Sequence, residues 1–453
     1  MPTEKPTSAS DKSVSVTPLL ARALQRIRST PPRVIASPPT QPRRAAVALL
    51  IRVVPSPATN LPDPALPPPS LTEFFEQDWV KDPMSRPEIL FLHRQADVGE
   101  NASDIQGRVR SAAREAHVAF PGGRTEPDDE GGLYTSSKSY TFSDPTPAMR
   151  QTWEEIGIDL AEKYYTSIGQ LDDREITTSL GKRLLMILSP FVFLQVTPTA
   201  PLPDPIASTT LHWVPLTTLV SPVSPPKWSS VTVDAASRIA PRNSAALRYL
   251  IRLLVGSMQF PAIVLDPTDP STSSPSPPAS EKAQKKLTST HDVIEKGFSP
   301  KTLKLWGLSL GMTLDLMSYM IFSQSSRDSM LLKSEEGSES PLSQYMQLPY
   351  QDVVEDFRVE YVAPSLASVF PRFSYPDVNF WIWVFGKRYR EVIRGWEASL
   401  RAGGVNDRRI NWSGSALSTF YAAIRKALVV VIVARALGIL FGLAFAGWWI
   451  FSQ

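Results

Sequence analysis

The segment PAMRQTWEEIG, residues 147–157, places two adjacent glutamates, Glu154 and Glu155, close to one arginine. In a helix, Gln151 and Glu155 share a face, and Arg150 lies four residues before Glu154. Carboxylates on one helix face, with a backbone carbonyl from a tight glycine turn, are ligands that Mg²⁺ accepts. Such a metal neutralises phosphate charge and lowers the pKa of an attacking water. The residues therefore indicate metal-dependent cleavage of a diphosphate; the alternative is a solvated helix face with one Arg–Glu pair.

The segment has the ends expected of a short helix. Thr146 can act as the N-cap, Pro147 suits the first helical position, and Gly157 can end the helix. The preceding run AHVAFPGG, residues 116–123, predicts a strand that ends in a glycine turn. An acidic loop joins strand and helix. These are the parts that a divalent metal bound to a diphosphate needs.

Other apolar runs predict the remaining strands of a mixed α/β domain. Residues 299–322 carry apolar side chains at helical spacing, and residues 379–400 predict a helix with an aromatic start. The predicted strands are residues 43–54, 88–94, 116–123, 184–196, 208–220 and 260–265, of which the fifth runs into a short helix.

Proline, with 43 residues in a chain of 453, marks the segments outside the core. Residues 1–42 predict a disordered basic arm, with a mitochondrial presequence as the alternative. A folded domain is expected over residues 43–322, and residues 323–425 predict a polar and helical linker. Within the domain, disordered insertions are expected at residues 55–86, 130–145 and 266–297.

Charge and cysteine content limit the classes of partner and site. A net charge of +3 is too small to predict a nucleic-acid partner. The chain has no cysteine, so disulfides, thiolate zinc sites and cysteine nucleophiles are excluded.

Residues 427–451, ALVVVIVARALGILFGLAFAGWWIF, predict a transmembrane helix. Arg435 is the one charge in this run, and we expect it to reach toward the interface, where basic residues precede the run. A C-terminal anchor of this kind keeps the bulk of the chain cytosolic, with mitochondrion, peroxisome and endoplasmic reticulum all open. Gly438 and Gly442 have the spacing of helix contacts that would form a homodimer. A buried core helix is the alternative.

At the level of motifs, the chain resembles the Nudix hydrolase family. The box of that family is matched by Gly123, Asp129, Arg150, the pair Glu154 and Glu155, and Gly157 with its apolar follower. The run VAFPGGRTEPDD and the later LKLWGLSLGM, residues 303–312, are similar to the coenzyme A pyrophosphatase branch. The resemblance covers residues 43–322 and implies an α/β/α sandwich on a mixed sheet.

The resemblance also implies roles for individual residues. Gly123, Glu154 and Glu155 are the expected ligands of Mg²⁺ or Mn²⁺. Glu154, Glu155, Arg150 and Gln151 form the expected catalytic set, in which Arg150 orients Glu154. Arg124 is the expected contact to the substrate, a small-molecule diphosphate such as coenzyme A or a nucleoside diphosphate derivative.

Three departures from the family pattern bear on activity. The 20 residues between Asp129 and Arg150 exceed the family spacing, and the Gly-Gln that precedes the FPGG strand is replaced by Ala116 and His117. Gln151 stands where the family has a glutamate. An amide can offer a carbonyl oxygen to a metal, but it cannot act as a base at neutral pH.

Two other readings of the same sequence stay open. In one, Gln151 marks lost chemistry, and a non-catalytic Nudix-like domain binds a nucleotide or partner at a membrane. In the other, the domain scaffolds a membrane complex through residues 323–425. Asp172, Asp173 and Glu175 are candidates for a replacement carboxylate, with a solvated loop as the simpler interpretation.

Overall fold

A large mixed sheet organises the chain in the computed structural model. The structure describes residues 16–35, 43–62, 67–95, 115–126, 145–177, 184–220, 226–235, 244–266, 302–321, 371–388, 390–391 and 417–452. Within these ranges the sheet has 12 strands. They are β1 (Arg44–Val54), β2 (Arg86–Arg94), β3 (Glu115–Ala119), β4 (Gly122–Arg124), β5 (Tyr165–Gln170), β6 (Arg174–Thr177), β7 (Leu184–Gln195), β8 (Thr209–Pro215), β9 (Lys227–Asp234), β10 (Ser257–Leu265), β11 (Thr302–Trp306) and β12 (Arg372–Phe373).

Helices precede, interrupt and follow the sheet in the chain. They are α1 (Thr17–Ser29), α2 (Leu71–Glu76), α3 (Asp78–Lys81), α4 (Thr146–Ile156), α5 (Thr217–Val220), α6 (Ala245–Val255), α7 (Gly307–Ile321), α8 (Pro376–Phe385) and α9 (Leu417–Ser452).

The central strand β1 runs parallel to β7 on one side. On its other side, β1 pairs antiparallel with β4 near its start and with β2 near its end. β2 continues the sheet through β3 and β8, and β3 pairs in parallel with β11. Because β4 and β2 share the same side of β1, the glycine turn of β4 lies beside the first half of β1. The helix α4 packs against the same half.

The alternation of side chains along β1 explains why helices cover both faces of the sheet. Leu49 and Ile51 point into a core that also contains residues of α1 and α7. Ala48 and Leu50 point into the opposite core, which contains Ala148, Ile156 and other residues around α4. A strand that is apolar on both faces must be covered on both. The result is a mixed α/β fold with helices on each side of the sheet.

The N-terminal arm departs from the sequence prediction. Within residues 1–42, which the sequence predicts as disordered, α1 is a helix of 13 residues. Its Leu20, Ala23, Leu24 and Ile27 are buried in the core on the α7 side. Their spacing forms one apolar stripe, and burying that stripe offsets the cost of ordering the segment. The disordered-arm prediction is wrong for this part.

The insertion predicted at residues 55–86 is also partly ordered. Ser70 caps α2 in a capping box with Glu73. Phe74 and Trp79, from α2 and α3, are buried against the same core as α1, with their rings in edge-to-face contact. Proline content predicted this segment wrongly because the aromatic residues after the prolines supply enough apolar surface to fold.

The later segments differ in detail from the prediction. Residues 299–322 do not form one helix: β11 covers the first described part, and α7 begins at Gly307 with φ of 62°. The predicted helix at 379–400 begins earlier, as α8. Between residues 323 and 425, the described parts are β12, α8 and the start of α9. The insertions at 130–145 and 266–297 lie almost entirely outside the described residues.

Gly122 is a position that requires glycine. Its φ is 151°, and an added Cβ would lie 2.4 Å from the carbonyl oxygen of Ala46. We expect Gly122→Ala to lower the free energy of unfolding by about 1–3 kcal/mol, because backbone cannot yield as a flexible side chain can. Thermal unfolding of the full chain measures the change. Gly438→Ala is the control, since nothing lies within 4 Å of its added Cβ; equal stability of the two variants would contradict the assignment.

Candidate functional site

α4 carries the predicted glutamates and has well-defined ends. It begins one residue earlier than predicted, with Pro145 at the N-cap, and Gly157 ends it in a left-handed conformation with φ of 68°. Thr152 and Ile156 are fully buried toward the sheet. This orientation leaves Arg150 and Glu154 at the outer surface, where a ligand can reach them.

Arg150 and Gln151 both donate to Glu154. Nη1 of Arg150 lies 2.9 Å from Oε1 and 3.1 Å from Oε2 of Glu154. The amide nitrogen of Gln151 lies 2.9 Å from Oε2. Arg150 also donates to the carbonyl oxygen of Arg124 at 3.3 Å and pairs with Glu126 at 3.5 Å. The structure thus shows the Arg150–Glu154 pair that the helix spacing predicts. Through its hydrogen bond to the carbonyl oxygen of Arg124, Arg150 also joins α4 to β4.

Glu155 is held by an arginine from another strand. Arg94, at the end of β2, donates through Nε to one oxygen of Glu155 and through Nη2 to the other at 2.7 Å. Thr209 of β8 lies 3.5 Å from the same carboxylate. The side chain of Glu155 is only 11% exposed, whereas that of Arg94 is 44% exposed. The carboxylate of Glu155 is therefore largely buried and held in one position, while the guanidinium of Arg94 that binds it is open to solvent.

Gly123 lies directly against Gln151. An added Cβ at Gly123 would come 2.5 Å from Oε1 of Gln151, so the amide oxygen occupies the space that a side chain at 123 would fill. Gly123 is fixed by its pairing with Ala46 of β1. The glycine turn and α4 therefore meet at Gln151.

These contacts allow a test of whether a divalent metal suits the site. The amide oxygen of Gln151 lies beside Gly123, and the carboxylates of Glu154 and Glu155 lie on the same helix, so all three offer hard oxygen atoms of the kind Mg²⁺ and Mn²⁺ take. The guanidinium of Arg94 already stands as a cation against Glu155. Among the described residues, no three Asp, Glu, His or Cys side chains form a ready-made metal centre.

The other residues singled out in the sequence have different positions. Arg124 is exposed at the end of β4, next to the contact between Arg150 and its carbonyl. Asp129 lies outside the described residues. His117 lies in β3, with its ring 5.4 Å from that of Trp306.

Asp173 has a structural environment. It is buried and accepts hydrogen bonds from Arg44 at 2.6 Å, from Ser189 at 2.8 Å and from the backbone of Ile35 at 2.9 Å. Asp172 accepts from the backbone of Arg33 at 3.0 Å. These carboxylates hold the chain that follows α1 against β1 and β7. The structure therefore gives Asp172 and Asp173 no place in the α4 site.

Arg94 is the site residue that sequence reasoning did not single out. The sequence predicts it as the last residue of a strand, which is where β2 places it. Its partner Glu155 is 61 positions away in the chain. Only the register of β2 against β8 and the packing of α4 bring them together.

The C-terminal helix α9 is a second functional feature. Within the described ranges it is the one helix long and apolar enough to cross a membrane, with mean hydropathy 2.6 and 11% of its apolar stretch buried. Buried residues of α9, from Phe420 to Val431, pack against α6, α8 and the β9–β10 end of the sheet. Every residue from Ala436 to Ala446 is exposed. The helix is therefore docked at its start and projects from the domain afterwards.

Comparisons with known proteins give limited information. No protein-family model matches the chain. An uncharacterized protein of Schizosaccharomyces pombe is 31% identical over 176 residues, which are 38% of this chain and 48% of the relative. The chain thus spans about half the length of this curated relative. A crystal structure of a MutT/nudix family protein from Enterococcus faecalis aligns over 46% of this chain and 57% of that chain, with 12% identity and a TM-score of 0.19.

Proposed function

We propose that this chain is a membrane-tethered Nudix-type hydrolase that cleaves the diphosphate linkage of a small molecule, with coenzyme A or a nucleoside diphosphate derivative as substrate. The observation that carries the proposal is that Gly123 lies against Gln151 of α4, the helix whose Glu154 and Glu155 are held by Arg150 and Arg94 and whose sequence resembles the family's box. The membrane tether is α9.

The chain's own residues have distinct roles in this proposal. Mg²⁺ or Mn²⁺, held by Gly123, Glu154 and Glu155, would neutralise phosphate charge and make a bound water more acidic. Arg150 keeps Glu154 in place, so that this carboxylate stays fixed while substrate binds and product leaves. Arg94 exchanges its contact with Glu155 for a phosphate oxygen of the substrate, which its exposed position allows.

Gln151 limits the rate. Its amide oxygen already lies at Gly123 and can serve as a neutral ligand, but it accepts no proton from the attacking water. The charge of the two glutamates is balanced by Arg94 and Arg150. A weaker metal affinity and a lower turnover than a site with a third carboxylate are the expected consequences.

Turnover of a panel of diphosphates tests the proposal. Purified full-length chain is incubated with coenzyme A, a nucleotide sugar or a dinucleoside polyphosphate, each with Mg²⁺, with Mn²⁺ or with a chelator. We expect metal-dependent cleavage of at least one of these, by addition of water across the P–O–P bond. For coenzyme A, the products are 3′,5′-ADP and 4′-phosphopantetheine. No metal-dependent product from any member of the panel would overturn the proposal.

A non-catalytic, ligand-binding domain is the second candidate. It is favoured by the same ion pairs, because Arg94 and Arg150 satisfy the two carboxylates with protein cations. In that case a diphosphate stabilises the chain against thermal unfolding without yielding product. Thermal shifts and product analysis on the same samples distinguish the two candidates.

The tether gives a separate prediction. Full-length chain should stay in the membrane fraction after carbonate extraction, because a buried span of apolar residues is not released by breaking electrostatic contacts. Leu443→Arg, in the projecting part of α9, should release the chain, since an arginine in a span costs about 2.5–3.5 kcal/mol. Leu202→Arg, at an exposed loop position, is the control and should stay bound. Release of the wild-type chain by carbonate would contradict the tether.

A further inference from the structure

Two helices beside α9 expose apolar side chains toward solvent. On α8, Phe380 is 56% exposed and Trp383 is 58% exposed. On α6, Leu250 and Leu253 are exposed to a similar degree, and Leu247 is also exposed. We call these five residues the shelf. A cluster of large apolar side chains on neighbouring elements is unusual for a surface that faces only water.

The polar residues of α8 are satisfied within the protein. Both carboxylate oxygens of Asp377 accept from Nη2 of Arg435, at 2.6 and 2.8 Å. The amide of Asn379 donates to the carbonyl of Phe373 at 2.8 Å and accepts from its backbone nitrogen at 3.0 Å. With these groups paired, the outer side of α8 presents Phe380 and Trp383, and the guanidinium of Arg390 lies 4.5 Å from the centroid of the Trp383 ring.

Arg435 joins the three helices at the point where α9 leaves the domain. Besides Asp377 of α8, it donates to the carbonyl of Leu254 at the end of α6 and lies 4.3 Å from the ring centroid of Tyr375. The sequence predicted that this side chain reaches toward the membrane interface. In the structure it is instead held by the domain. The start of the projecting helix is therefore tied to both parts of the shelf.

The place where α9 leaves the domain indicates how close the domain lies to the bilayer. The continuously exposed part of α9 begins at Ala436, directly after Arg435, without an intervening loop, because α9 is one continuous helix. A bilayer that takes up this exposed apolar part therefore reaches the level of Arg435. At that depth the surrounding headgroups meet the shelf.

The levels of the basic residues agree with this placement. The buried residues of α9 all precede Arg435, and Arg435 pairs with Asp377 in the first turn of α8, so α8 starts at the level where α9 leaves the domain. Trp383 lies six residues after Asp377 on α8, at most about 9 Å from that level and within reach of the headgroup layer. Lys426, which is exposed, lies about 14 Å from Arg435 along α9 on the domain side, where lipid phosphates are expected.

α6 has the composition of a helix that lies in an interface. Its exposed Leu247, Leu250 and Leu253 recur at three-residue spacing along one side, Leu254 is buried in the core, and Arg248 and Arg252 lie on another side. Leucines on one side and arginines on the other are typical of helices that lie in the plane of a membrane surface. The arginines complement anionic headgroups.

We propose that α6 and α8 form a membrane-inserting shelf that seats the domain directly on an anionic phospholipid bilayer, around the point where α9 enters. The proposal rests on the tether of the proposed function and goes beyond it, because a tether alone would leave the domain free to tilt and stand off. Seated in this way, the domain keeps one orientation relative to the membrane.

The absence of cysteine from the sequence makes the test direct. Single variants Trp383→Cys, Leu250→Cys, Leu443→Cys and Leu202→Cys of the full chain are labelled with an environment-sensitive fluorophore and reconstituted in phosphatidylcholine–phosphatidylserine vesicles. Nitroxides on lipid headgroups or deep in the acyl chains then quench each label according to its depth. Position 443 reports the span, and position 202 reports the solvent-exposed domain surface.

We expect headgroup nitroxides to quench the labels at 383 and 250, deep nitroxides to quench the label at 443, and neither to quench the label at 202. If the labels at 383 and 250 behave like that at 202 while 443 is quenched, the shelf is refuted and the tether stands. If 443 is also unquenched, the tether fails and the shelf with it. Because positions 383 and 250 lie on different helices, quenching of both labels cannot result from a local change caused by one substitution.

Discussion

Glu155→Gln is expected to lower metal-dependent turnover by about 10²–10⁴, the range for loss of a proton-accepting or activating group. The carboxylate is fixed at the junction of α4, β2 and β8, and a neutral amide there holds a divalent cation poorly. The fold should survive, because the amide oxygen still accepts a hydrogen bond from Arg94, whose side chain is 44% exposed and stays solvated. Turnover and thermal unfolding, measured on the same preparation, check both statements.

Arg94→Gln is the matched control for this variant. Each substitution breaks the same ion pair, but only Glu155→Gln removes the carboxylate. If Glu155 acts in catalysis, Arg94→Gln should bind Mg²⁺ more tightly, because a competing cation is gone, while losing affinity for the substrate phosphate. If Glu155 serves only to hold Arg94, the two variants should lose activity equally and show the same metal dependence. That second result would remove Glu155 from the catalytic set.

Gln151→Glu is expected to raise the metal-dependent rate, by at most about 10²–10⁴. The new carboxylate would lie against Gly123 and beside Glu154, where Gln151 now donates a hydrogen bond. Without metal, two adjacent carboxylates repel, so the melting temperature should fall. Added Mg²⁺ should restore it, because binding to the folded state stabilises that state.

Gln151→Asn is the control for changes in shape without charge. It shortens the side chain and should produce neither the metal-dependent gain in rate nor the metal-dependent recovery of the melting temperature. A Gln151→Glu variant that binds Mg²⁺ but gains no rate would show that Gln151 does not limit turnover.

The central elements of the fold were predictable because their signals are local. β1, β2, β7 and β8 are apolar runs bounded by turns, and Gly157 marks the end of α4 as its left-handed conformation requires. The Arg150–Glu154 pair follows from helix spacing alone. These features depend on residues close together in the chain.

What was missed depends on contacts far apart in the chain or on a signal masked by composition. α1 carries a regular stripe from Leu20 to Ile27, but its arginines and the nearby prolines resemble a disordered arm. The Arg94–Glu155 and Arg435–Asp377 pairs join residues separated by 61 and 58 positions. No local sequence pattern identifies either pair, because only strand register and helix packing bring the two charged residues together.

The chemistry of the α4 site is tested most directly by one comparison of product release from coenzyme A and the other diphosphates of the panel. Wild-type chain, Gln151→Glu and Glu155→Gln are assayed on each with Mg²⁺, with Mn²⁺ and with chelator, and the product, 3′,5′-ADP in the case of coenzyme A, is quantified. We predict a metal-dependent rate for wild type, a higher rate for Gln151→Glu and a rate near background for Glu155→Gln. Equal, metal-independent rates for all three proteins would contradict the account, because the two glutamates of α4 would then take no part in cleaving the diphosphate.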